Sequence, residues 1–102
     1  MYLIQILLPL YDNGGNPFPQ HEYLRVRDEL TERFGGITTY LRSPAEGLWK
    51  GGTSMPVHDD IVIYEVMTET LDRDWWRSYR EALSMRYRQD MLIIRVSEIH
   101  LL

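Results

Sequence analysis

Hydrophobic and polar positions along the chain sort into six blocks. Tyr2 to Leu10 is apolar on both strand faces, which predicts an interior strand of a covered sheet. The turn formers Asp12-Asn13-Gly14-Gly15-Asn16-Pro17 end it in a loop. From about Pro19 to Phe34, the residues Tyr23, Val26, Leu30 and Phe34 recur three and four apart, the stripe of an amphipathic helix. Pro19 suits its first position and Gly35-Gly36 its left-handed stop. Ile37 to Arg42 is a β-branched and aromatic second strand. Ser43-Pro44 interrupts it, and Gly47-Leu48-Trp49-Lys50 resumes it beyond a bulge. After a loop tip at Gly51 to Pro56, Asp60 to Thr68 is the clearest strand. A second helix follows from Asp72 to Gln89, with Trp76, Tyr79, Leu83 and Tyr87 as its buried stripe. Leu92 to Ile99 closes the chain as a fourth strand.

Strand, helix, strand, strand, helix, strand is the order of two split βαβ units. It predicts a ferredoxin-like α+β sandwich, with a four-stranded antiparallel sheet and two helices on one face. The expected spatial order is fourth, first, third, second. No repeat, linker or low-complexity tract interrupts the chain, so residues 1–102 are expected to form a single domain.

Helices cover only one face of such a sheet, and strand alternation decides what the other carries. Ile4, Ile6 and Leu8, Val62, Tyr64 and Val66, and Leu92, Ile94 and Val96 are purely apolar rows and belong under the helices. The opposite rows place Gln5, Glu65 and Arg95 side by side, with Tyr40 or Arg42 extending them from the second strand. Leu3, Leu7, Ile61, Ile63, Met67, Ile93 and Ile99 surround that belt, which is too apolar for a solvated face. Two chains are therefore expected to pack these faces together as a symmetric homodimer. The Glu65–Arg95 pair then either fixes register as a structural ion pair or lines a small-ligand pocket.

Composition removes several alternatives. No cysteine is present, which excludes disulfides, thiolate metal sites and cysteine nucleophiles. A formal net charge of -4 has the wrong sign for a general nucleic-acid binder, and none is expected as partner. The Leu3–Leu10 run is too short to span a bilayer and has neither the basic flank nor the cleavage site of a signal peptide. A cytoplasmic protein without membrane contact is the expectation. The arginines of the second helix, Arg73, Arg77, Arg80, Arg86 and Arg88, are balanced by Asp72, Asp74 and Glu81 and read as a solvated face.

Candidate chemistry is sparse. His21, His58 and His100 share no helical or strand spacing, and His58-Asp59-Asp60 would point to alternating faces, so no metal site or cofactor is expected. Neither glycine pair has phosphate-loop spacing, and Ser43 lacks a nucleophile-elbow context. The segment Ser43-Pro44-Ala45-Glu46-Gly47 with Trp49 interrupts a strand, where function commonly sits. Arg42, Glu46 and Trp49 are candidates for the rim of the pocket, with His58 across the hairpin. The plainer role for Trp49 is packing against a helix end or a partner subunit.

In element order the whole chain resembles the dimeric α+β barrel proteins of bacteria, which share the ferredoxin-like unit. That superfamily includes cofactor-free monooxygenases, muconolactone isomerase-like enzymes and stress-responsive proteins. The resemblance is one of layout without a motif, so it implies a fold and a dimer but transfers no catalytic residue. Binding of a small molecule is the leading expectation. One alternative is a cofactor-free enzyme, with His58 or Glu65 as base and Arg95 or Arg42 holding an anionic substrate. The other is an assembly module without a ligand.

Overall fold

The computed structural model describes residues 1–42 and 61–102. Its elements are β1 (Tyr2–Pro9), α1 (Gln20–Phe34), β2 (Thr38–Arg42), β3 (Ile61–Thr68), α2 (Arg73–Arg86) and β4 (Ile93–Glu98). The sheet runs β2-β3-β1-β4 with every neighbouring pair antiparallel, the expected order read from the other edge. The chain is thus an α+β sandwich.

Both helices begin and end for local reasons. Pro19 precedes α1 with extended backbone, and Gly35 ends it at φ 82°, where its N–H caps the Thr31 carbonyl. A side chain with a Cβ is strained at that angle, so glycine is the fitting residue there. Asp72 caps α2 by accepting from the Trp75 backbone N–H at 3.1 Å. α2 stops at Arg86, three residues before the expected end, because Arg88 turns to φ 48° and leaves the helix.

The core lies between the helices and one face of the sheet. Ile4, Ile6, Leu8, Val26, Leu30 and Leu83 are fully buried there, with Tyr64, Val66, Trp76, Tyr79, Tyr87 and Leu92 beside them. The apolar rows expected under the helices are therefore the rows that lie there, with one exception. Val96 is 42% exposed. It belongs to an edge strand whose far end is left uncovered on both faces.

Two tyrosine hydroxyls tie this layer together. Tyr23 donates to the Pro9 carbonyl at 2.6 Å, and Tyr64 donates to the Tyr23 carbonyl at 2.9 Å. A cluster of stacked and edge-on rings, Phe34, Trp75, Trp76 and Tyr79, joins the C-terminal end of α1 to α2.

Candidate functional site

Register, rather than chain proximity, builds the polar line on the sheet face that carries no helix among the described residues, the helix-free face below. Gln5 of β1 is the cross-strand partner of Glu65 in β3 and of Arg95 in β4. Arg95 Nε donates to Gln5 Oε1 at 2.7 Å, and Gln5 Nε2 donates to Glu65 Oε1 at 2.6 Å. A cation on one side and a carboxylate on the other leave the amide only one orientation, oxygen toward arginine and nitrogen toward glutamate.

The expected Glu65–Arg95 pair is thus corrected to a relay. Gln5 stands between the two charges, which lie two strand spacings apart, about 9–10 Å along the sheet. Burial differs from expectation too: Glu65 and Gln5 are half-buried, but Arg95 is exposed in the single chain.

The second strand meets the line through Thr38, the register partner of Glu65. Tyr40 and Arg42 belong to the same row but stand opposite Ile63 and Ile61, so neither is level with the belt. The offset was not legible because the β2–β3 register depends on the whole connection between them. Glu46, Trp49 and His58 lie outside the described residues.

The apolar surroundings are uneven. Leu3, Leu7, Ile61 and Ile99 are half-buried, whereas Met67 is 54% and Ile93 50% exposed. Ile63 is 1% exposed although it stands outside the helix-side core cluster. The open part of the wall is therefore its β4 side and the Met67 end.

Two other polar regions lie on the helix side. Between the helices, Arg86 donates from both terminal nitrogens to Glu29, at 2.6 and 2.7 Å, and Tyr79 adds a hydrogen bond at 3.0 Å. These bonds hold the Glu29 carboxyl below its ordinary pKa against the opposing effect of burial. Burial raises the neighbouring phenols, Tyr23 to about 12 and Tyr79 and Tyr87 further, so they stay protonated at neutral pH. The Tyr87 hydroxyl is buried without a hydrogen-bond partner among the described residues. This cluster ties α1 to α2. The solvated face expected for the second helix is corrected at Arg86, whose side chain is 17% exposed and faces Glu29. The seven-residue spacing of Tyr79 and Arg86 was the one available signal that both share a face.

The second region is a cleft of about 390 Å³ lined by Arg33, Phe34, Thr68, Thr70, Asp72 and Trp76. Its charged groups are already engaged, since the Arg33 guanidinium lies 4.1 Å above Trp75 and 3.7 Å from Asp72. Among the described residues no group of three or more His, Asp or Glu is placed to hold a metal ion. His21 is exposed on α1 beside Glu22 at 3.3 Å, and His100 is exposed beyond β4. No helix among them is long and apolar enough to cross a membrane.

No protein-family model and no curated protein matches the chain. Among solved structures it is similar to a phage SAM lyase in complex with S-methyl-5'-thioadenosine, with a TM-score of 0.60 and 13% identity. The match covers 95% of this chain and 80% of the lyase. At that identity the likeness is one of fold.

Proposed function

We propose that the chain binds a small molecule on the helix-free face of its sheet, with a second copy packed over that face. The Arg95–Gln5–Glu65 relay carries this reading: a directed polar line set in an apolar row. Small-ligand sites are made of such walls with a few converging polar groups. Met67 and Ile93 supply exposed apolar surface on the same face, which favours a covering partner. The SAM lyase of like fold was solved with a small molecule bound, which supports a ligand site on this layout but does not specify the ligand here.

On layout we group the chain with the dimeric α+β barrel proteins, as one domain working in the cytoplasm. Gln5, Glu65 and Arg95 form the floor of the site. Tyr40 and Arg42 continue their row, and Glu46, Trp49 and His58 are counted with them on the sequence pattern alone.

Sedimentation equilibrium on the wild-type chain and on a Met67→Lys/Ile93→Lys variant tests the pairing. The wild type is expected to be a dimer and the variant a monomer with an unchanged far-ultraviolet spectrum. A thermal-shift screen that includes S-methyl-5'-thioadenosine tests binding, since a ligand at 100 times its Kd stabilises by about 2.7 kcal/mol. A monomeric wild type that no compound stabilises would overturn the proposal. A dimer that no compound stabilises would leave assembly as its role.

A further inference from the structure

Arg95 commits one nitrogen to the relay and, among the described residues, keeps two. Its Nε donates to Gln5 Oε1. Among the described residues no carboxylate lies within ion-pair distance of its terminal nitrogens, and the side chain is exposed. Arg86 shows the opposite arrangement, with both terminal nitrogens spent on Glu29. A guanidinium anchored through Nε has its plane set in advance. The two terminal N–H groups then form a fork whose spacing matches the two oxygens of a carboxylate.

The surroundings define what such an anion carries. Ile93 and Leu7 are cross-strand partners on the same row, one step from the Arg95–Gln5 pair. That step is two residues, or about 6.8 Å along the strands. Ile93 is 50% exposed, so an apolar body lying there covers surface that water otherwise meets. A doubly charged head is disfavoured. Among the described side chains it would meet the one guanidinium of Arg95, with Glu65 on the same row and a net charge of -4 on the chain.

We propose that the helix-free face takes a small organic monocarboxylate, its carboxylate on the terminal nitrogens of Arg95 and its apolar body along Ile93 and Leu7. This rests on the binding face proposed above and names its ligand class. Gln5 is then a positioning residue. Its part is to fix the plane of the guanidinium rather than to hold the carboxylate.

The test is an NMR titration of the full chain, following the Arg95 Nε–Hε signal and the methyl groups of Ile93 and Leu7. The probes are hexanoate, its neutral counterpart hexanamide, and inorganic phosphate. Hexanoate is expected to shift all three signals and to bind about tenfold more tightly than hexanamide, with phosphate weaker than hexanoate. Arg95→Met should abolish the preference for acid over amide, and Arg95→Gln should repeat the result if the first variant folds poorly. Gln5→Leu should lower that preference severalfold while the Arg95 charge remains, which a merely structural glutamine would not do.

Equal binding of hexanoate and hexanamide would overturn the ligand class but leave the binding face standing. Phosphate binding as tightly as hexanoate would overturn it as well, because the apolar wall would then contribute nothing. Absence of any hexanoate response sinks the inference. If S-methyl-5'-thioadenosine and hexanamide also leave the face unmoved, the binding face falls with it.

Discussion

Glu29 and Arg86 meet head-on between the helices, whereas Glu65 and Arg95, on the other side of the sheet, are held apart by the amide of Gln5. Each assembly joins a carboxylate to a guanidinium and a neutral polar group, with Arg25 standing 3.9 Å from Glu29 as a further cation in the first. In the first, the two carboxylate oxygens and both terminal nitrogens are used up, with Tyr79 as an extra donor. In the second, the guanidinium keeps its terminal donors. A closed ion pair fixes packing; an open line leaves capacity for something else.

The contrast requires the helix layer to be the stable side of the molecule, and the largest expected effect checks that. Leu83 is fully buried, so Leu83→Ala should cost about 2–5 kcal/mol in denaturant titration. A loss below about 1 kcal/mol would mean that the layer is loosely packed and the contrast unfounded.

Glu29→Ala comes next, at about 1–2 kcal/mol once solvent at the partly exposed carboxylate is allowed for. Its pH dependence has a definite sign. Hydrogen bonds from Arg86 hold the folded-state pKa of Glu29 below the ordinary 4.5. The stabilisation is therefore complete above the unfolded value and is lost as pH falls through the lowered one. Glu29→Gln should flatten the acid limb of the stability curve below about pH 4.5 relative to wild type. Parallel acid limbs in the two proteins would place the pair in water.

Glu65→Ala is the smallest and the most informative. Because Glu65 is only half-buried and meets the Gln5 amide rather than the guanidinium, the loss in the single chain should stay near or below about 1 kcal/mol. A loss of about 3–5 kcal/mol, measured at a protein concentration where chains pair, would mean that a second copy seals the whole charged line away from water. The same substitution thus sharpens the contrast in one state of assembly and breaks it in the other.

Much of this was legible in the sequence, for identifiable reasons. A period of two sorts Gln5, Glu65 and Arg95 onto one face, and the strand order then places β1 between β3 and β4, so the three must be neighbours. That Gln5 separates the charges follows from the same order. The Glu29–Arg86 lock was not legible, because a helix period gives a face but not the rotation at which two helices meet. Nor was the level of Tyr40 and Arg42, which one register step decides. Val96 misled because alternation assigns a face without saying how far the helices reach over an edge strand.

The central position of β1 has a kinetic consequence. Its two hydrogen-bonded partners in the relay lie 60 and 90 residues further along the chain. Contacts of such span close slowly, since the intervening chain must first surrender its freedom. On a ribosome, β1 leaves the exit tunnel before β3 and β4 and must wait for both before Gln5 has its two neighbours. The guanidinium fork is therefore assembled only after β4 has emerged, and a nascent chain arrested before Arg95 has a helix layer in the making but no finished site.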